Sequence, residues 1–334
     1  MTDLVTRGQL DLLAQTVAAP AAELESLARL GADDIRALRE RISALLYDAH
    51  ADTFARVSKL APLIPNALAA KVALKAVPPE VAGRAGGAIG IDHPDRAAGL
   101  LGALTTTYMA DAAPFLDPRA IAVLAPRIPA AVLIPAANEL LARRDYVTAA
   151  SFLDHAPDEL IADFERGIDD DAGLLHTAAL GSSAERLAHV IRLLPPGRRD
   201  RILRAATSGD TATALAGLSV LARLDSAIGR ELCDTLFGGP DVATGILFTA
   251  AHAAGAQVEL LTCLAALDDS VLTSLAQHPA LAERETVEKL AAAAGTDEHR
   301  TALLAIASYG GEDLRGWIAA ALPEPADQLT EAAR

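Results

Sequence analysis

Aromatic side chains make up only 3% of this 334-residue chain. That scarcity removes the flat surfaces on which bases and sugars stack, and it argues against β-structure, which favours branched and aromatic residues. Cysteine is almost missing. Cys233 and Cys263 form no CxxC pair and no disulfide framework, and each sits in an apolar helical context, which predicts two buried free thiols. A basic excess is also lacking: the net charge is −15 and the pI about 4.9, a field that repels phosphate backbones and excludes nucleic acid as a default partner. The longest uncharged run, VATGILFTAAHAAGAQV at 242–258, holds a histidine, a glutamine and two glycines. It falls short of the roughly 20 apolar residues that span a bilayer, so no membrane span is expected. MTDLVTRGQLDLLAQ at the start carries charges where a signal peptide needs an apolar core, which predicts a cytoplasmic protein.

The motifs of common chemistries are absent too. The eight histidines, at 50, 93, 155, 176, 189, 252, 278 and 299, show no HExxH and no zinc-type spacing. DDDAG at 169–173 lacks the glutamate that closes a calcium loop and reads as an N-cap cluster. There is no GxSxG nucleophile elbow. The segment GRAGGAIGIDHPDRAAG at 83–99 lacks both the GK[ST] ending and GxGxxG spacing, and no strand precedes it. Its glycines read instead as a surface for close helix packing. No catalytic residue, metal ligand or cofactor is therefore expected.

What the chain does have is alanine, about a fifth of all residues, and apolar positions recurring at i, i+3, i+4 and i+7. ELESLARL, DIRALRERISALL and ETVEKLAAAA are amphipathic helices, and no stretch alternates with period two. The fold class expected is all-α. Helices end again and again on a leucine or valine followed by Pro or Asp, at Val77, Leu116, Leu153, Leu194, Leu224 and Leu267. Proline suits the first helical position, and aspartate caps free amides. Intervals of 30 to 43 residues between these corners predict a right-handed α-solenoid or superhelical repeat of short helix pairs, about 40 residues per repeat. Residues 1–32 are expected to form N-terminal capping helices, 33–322 the repeat domain, and 323–334 a flexible tail.

The corners LKAVPPEVAGRA at 74–85 and IRLLPPGRRDRI at 191–202 resemble those of the N-terminal superhelical domain of MgtE-type magnesium transporters, and FliG carries a similar helical corner. The resemblance implies a helical-repeat fold. It does not imply magnesium transport, because the membrane domain and paired nucleotide-binding modules of that family have no counterpart here.

Two groups of residues invite a functional reading. Arg198, Arg201 and Arg204 recur along one helix after Pro196 and form a candidate polar contact surface. Asp163, Glu165 or Asp234 on adjacent repeats are available to compensate them, which favours an intramolecular or acidic-peptide contact. Helices at 119–142 and 241–266 are apolar on nearly every face and need covering on all sides. They are expected to be wrapped by the superhelix, to dimerise, or to line an apolar cavity with Leu133, Phe248 and His252. The leading expectation is a non-enzymatic repeat protein that binds a protein partner through its concave face, with a homodimer among the partners. The alternative is a carrier for a lipid, sterol or terpenoid, and a weaker one an enzyme acting on such a ligand.

Overall fold

The computed structural model describes residues 3–49, 53, 56, 58–59, 63–153, 155–181, 183–224 and 226–322. The 323–334 tail lies outside them. Every regular element among the described residues is helical, with α-helices and short 3-10 turns and no strand. All six expected corner residues stand at a helix end or within three residues of one. The chain divides into two compact units, Leu4–Ile202 and Leu203–Arg334.

In the first unit the helix Leu4–Val17 packs on Ala32–Asp48, with Leu10, Leu13 and Ile35 at the centre of the contact. Its other side meets Asp171–Leu180, where Gly8 lies against Leu180. Thr6 and Gln9 are buried as a result. The helix Leu4–Val17 thus has neighbours on two sides.

The helix Pro79–Asp92 shows why the glycine-rich segment is structural. Gly83, Gly87 and Gly90, four and three residues apart, share one face. A Cβ on Gly83 would stand 2.4 Å from the Ala112 carbonyl oxygen, one on Gly87 2.9 Å from the Asp117 Cβ, and one on Gly90 2.6 Å from Leu124. The helix therefore rests almost backbone to backbone on the segment that leads into Pro118–Leu124.

Both stretches expected as long all-apolar helices are broken. The first becomes Pro118–Leu124, a 3-10 turn Ala125–Arg127 and, after Pro129, Ala130–Ala142. The second becomes Asp241–Ala254 and Gln257–Ala265, separated by Gly255 in a left-handed conformation (φ +67°) that glycine adopts without steric cost. Short helices turned in this way meet several different neighbours. Pro118–Leu124 packs on Pro79–Asp92, while Ala130–Ala142 packs on Thr106–Ala112 and Asp158–Gly167. Neighbouring helices thus take up apolar faces for which the sequence alone suggested a cavity.

In the second unit Thr211–Leu221 packs on Asp241–Ala254, Gln257–Ala265 on Asp297–Tyr309, and Arg284–Ala293 on Glu312–Ala321. Leu218, Leu247, Leu261, Leu264 and Ile306 are among its fully buried side chains. Helix starts follow the corner chemistry in both units. Pro78, Pro129, Pro157 and Pro240 precede helices, and Asp117, Asp170 and Asp210 accept hydrogen bonds from free amides of the first turn.

Helix ends leave carbonyls without an intrahelical partner. Here side chains from other helices supply many of the missing donors. Tyr108 donates to the Val77 carbonyl at 2.8 Å, Arg198 to Ile168, Arg186 to Ala156, and Asn138 to Gly167 at 3.0 Å. In the second unit Gln277 donates to Tyr309 at 3.0 Å, and His278 meets the carbonyl of Asp241, at the start rather than the end of its helix, at 2.8 Å. The partners in these bonds are 29 to 37 residues apart in sequence. Tyr47 donates to Leu116 at 2.8 Å across 69 residues, about twice that interval.

Candidate functional site

Arg198, Arg201 and Arg204 do not form one surface. Arg198 is 3% exposed and turned inward, where it donates to the Ile168 carbonyl while its Nε lies 3.0 Å from Asp171 Oδ1. Arg201 is half exposed, with Nε 3.4 Å from the other oxygen of Asp171, and Arg204 is exposed. The compensating acid is Asp171 and none of the three foreseen. Asp163 pairs with Arg166 of its own helix, and Asp234 accepts the Asp268 amide at 2.9 Å. Arg186, donating to Ala156, and Arg198, donating to Ile168, hold the two ends of the helix Asp158–Gly167. Only Arg201 and Arg204 remain open to an external ligand. Asp170 caps the next helix through the Gly173 amide at 2.8 Å, which accounts for the acidic run at 169–171 as an N-cap cluster.

The three residues expected to line a cavity are divided between the two units. Leu133 belongs to the first unit and fills space between two clusters of buried residues, one around Leu124 and one around Leu160. Phe248 is buried in the second unit and stacks on His278, ring centroids 5.7 Å apart. His252 is on the surface, where Lys289 Nζ stands 2.9 Å from its Nε2 and 2.8 Å from Glu285 Oε1. His252 thus stands exposed in the last turn of its helix, beside the buried Ala251.

A cleft of about 440 Å³ does open in the second unit, between Phe237, Gly238, Asp241, Thr244, Ser270 and His278. Its walls mix the hydroxyls of Thr244, Ser270 and Ser274 and the Asp241 carboxylate with the apolar side chains of Phe237, Val271 and Leu275. His278 is spent structurally. Its Nδ1 accepts the Ala280 amide at 3.1 Å while Nε2 donates to Asp241, so both ring nitrogens serve the backbone.

Other titratable groups have similar duties. Asp117, almost fully buried, accepts from the Arg119 amide and side chain, and Arg119 reaches on to Asp48 at 2.9 Å. These carboxylates raise the Arg119 pKa, while burial and then the nearby Asp117 charge push Tyr47 up to about 12. Cys233 and Cys263 are buried free thiols, as the sequence predicted. The neighbouring Cys233 thiol and burial raise the Cys263 pKa well above its ordinary value, which leaves it a poor nucleophile.

His299 gives a measurable consequence. It is buried, with Nε2 3.1 Å from the Thr262 hydroxyl, whose proton goes to the Val258 carbonyl at 2.9 Å. Burial lowers its pKa below 6.5. In the window between the lowered folded value and 6.5 the unfolded chain binds the proton that the folded chain excludes. Its contribution to stability is therefore complete above about pH 6.5 and is lost as pH falls through the folded value. Urea melts of His299→Gln are expected to show a flatter decline from pH 7 to 5 than the parent. Parallel profiles would contradict this.

The open chemistry lies elsewhere. Of fifteen large apolar side chains exposed among the described residues, nine fall between residues 45 and 91. They include Leu45, Leu63, Leu68, Val72 and Val81, each at least 46% exposed. Single exposed residues of this kind are ordinary, whereas a contiguous apolar patch marks a contact surface. Residues 56–84 also carry five basic residues, Arg56, Lys59, Lys71, Lys75 and Arg84, against one acid, Glu80, in a chain whose net charge is −15. Three of the four lysines in the whole sequence lie between 59 and 75, a signal readable from sequence that helix patterning does not use. No family model, curated protein or solved structure matches this chain, so its functional reading rests on its own geometry.

Proposed function

We propose that this protein is a non-catalytic helical-repeat scaffold that binds a protein partner. The observation that carries the reading is the concentration of exposed aliphatic side chains between residues 45 and 91. The polar bonds between helix ends support the repeat architecture, since contacts at a nearly constant separation in sequence are what stacked units produce. On that reading each unit is about 30 to 37 residues long, shorter than the 40 expected from corner spacing. Histidines, arginines and aspartates that a catalytic site would need are spent on these bonds at Arg186, Arg198, Asp171 and His278. The apolar-carrier alternative gains no support from the cleft, whose lining mixes polar and apolar side chains.

Tagged full-length protein is expected to purify from its native source with a second polypeptide at fixed stoichiometry. Reconstituted from separately purified components, the pair should elute together in size-exclusion chromatography with light scattering. A chain that stays alone at every concentration and enriches no polypeptide overturns the reading.

A further inference from the structure

The helix Asn66–Ala76 has a buried side and an open one. Asn66, Ala69, Ala70 and Ala73 face inward, and its main neighbour is the helix Pro94–Leu101, with Asn66 against Gly99. The opposite positions, Leu68, Lys71, Val72 and Lys75, follow the i, i+3, i+4, i+7 spacing of a single helical face, and all four are exposed. Leu68 is 53% and Val72 50% exposed, with Leu63 at 76% just ahead of the helix. A ridge of this kind is the pattern by which one helix packs on another, and here no described helix covers it. Lys59, Lys71 and Lys75 have no carboxylate within ion-pair distance among the described residues, although acids outnumber bases by 44 to 29 in the chain.

We propose that the Leu68–Val72 ridge, flanked by Lys71 and Lys75, docks an amphipathic helix of a protein partner that carries aliphatic residues at i, i+4 spacing beside a row of Asp or Glu. This rests on the scaffold reading and names the chemistry of its partner. Charge complementarity selects the acidic row: two lysines four residues apart meet carboxylates of the same spacing, as ion pairs do across coiled-coil seams. Charge also decides against an anionic bilayer. A plane of lipid would extend beneath the whole molecule and oppose its net charge of −15, whereas a single helix touches only the basic patch.

The test places a photo-reactive amino acid at Leu68 in the full-length chain in its native source, with Val242, exposed in another part of the chain, as the control position. The adduct is expected on a distinct polypeptide, at a segment of amphipathic and acidic sequence, and not from position 242. A synthetic peptide of that segment is then titrated against the purified full-length protein. Lys71→Glu with Lys75→Glu should weaken its binding by about tenfold or more, and the loss should shrink as salt rises. Both lysines are exposed, and an unchanged circular dichroism spectrum shows that the variant is folded.

Adducts only to lipid, only to a second copy of this chain, or to no macromolecule overturn the docking proposal. So does a charge reversal that leaves affinity unchanged. If a stoichiometric partner exists but labels at other positions, the scaffold reading stands and the docking proposal alone falls. If no partner exists, both fall.

Discussion

Arg198→Ala is expected to lower the unfolding free energy by about 3 kcal/mol, against about 0.5 kcal/mol or less for Arg204→Ala two turns further on. The reason is burial. Arg198 is 3% exposed and holds the Ile168 carbonyl and the Asp171 carboxylate together. Removing it leaves a carbonyl without its donor and a carboxylate, only one-fifth exposed, without its closest cation. Breaking a fully buried pair costs roughly 3–5 kcal/mol, and the residual exposure of Asp171 argues for the lower end. Arg198→Lys should recover only part of the loss, because a single ammonium cannot reproduce the guanidinium fork across two acceptors. Urea denaturation followed by circular dichroism measures all three variants. Hydrogen exchange in Asp158–Gly167, the helix that Arg198 holds at its C-terminal end, should accelerate first. Equal stability of the Arg198 and Arg204 variants would refute the structural role assigned to Arg198.

The second large effect is expected at Gly83. A methyl group there would meet the Ala112 carbonyl oxygen at 2.4 Å and the Phe115 Cβ at 2.8 Å. Neither is the end of a flexible side chain, so helix Pro79–Asp92 must move as a body and open the contacts of Gly87 and Gly90 beside it. Overpacking of this kind costs roughly 1–3 kcal/mol and occasionally more, while the better helix propensity of alanine returns about 1 kcal/mol. A net loss of about 1–2 kcal/mol is expected for Gly83→Ala, toward the upper end because the nearest atom is a backbone oxygen. Gly316 supplies the control. It lies exposed in Glu312–Ala321 with open space around the site of a Cβ, so Gly316→Ala should gain up to about 1 kcal/mol. Opposite signs at two helical glycines would confirm close backbone approach at Gly83. Equal gains at both would show that the helices are not in contact there.

These two sites show where sequence reading succeeded and where it stopped. The glycines between 83 and 90 read as packing residues because the segment lacks a phosphate-loop motif, and which helical face they share followed from the structure. At Arg198 the sequence misled. Periodicity placed it on a stripe with Arg201 and Arg204, yet whether an arginine points to solvent depends on what lies about 30 residues away. In this case a carbonyl and an aspartate waited there. His252 and Phe248 were grouped by their shared apolar segment, and the fold sends one to the surface and the other into the core.

Local chemistry determined a good deal by itself. The all-helical class, the proline and aspartate corners, the buried free thiols and, among the described residues, the want of a helix long and apolar enough to cross a membrane all follow from short windows of sequence. Each depends on the conformational preferences of a few adjacent residues or on the hydropathy of one helix. Tertiary structure alone decided which apolar faces found partners. Gly255 and Pro129 break the two most apolar stretches so that neighbours cover them, while Leu68 and Val72, no more apolar, are left uncovered. Burial is a property of pairs of helices, and the pairing is set by turns and by bonds between helix ends that sequence separation conceals.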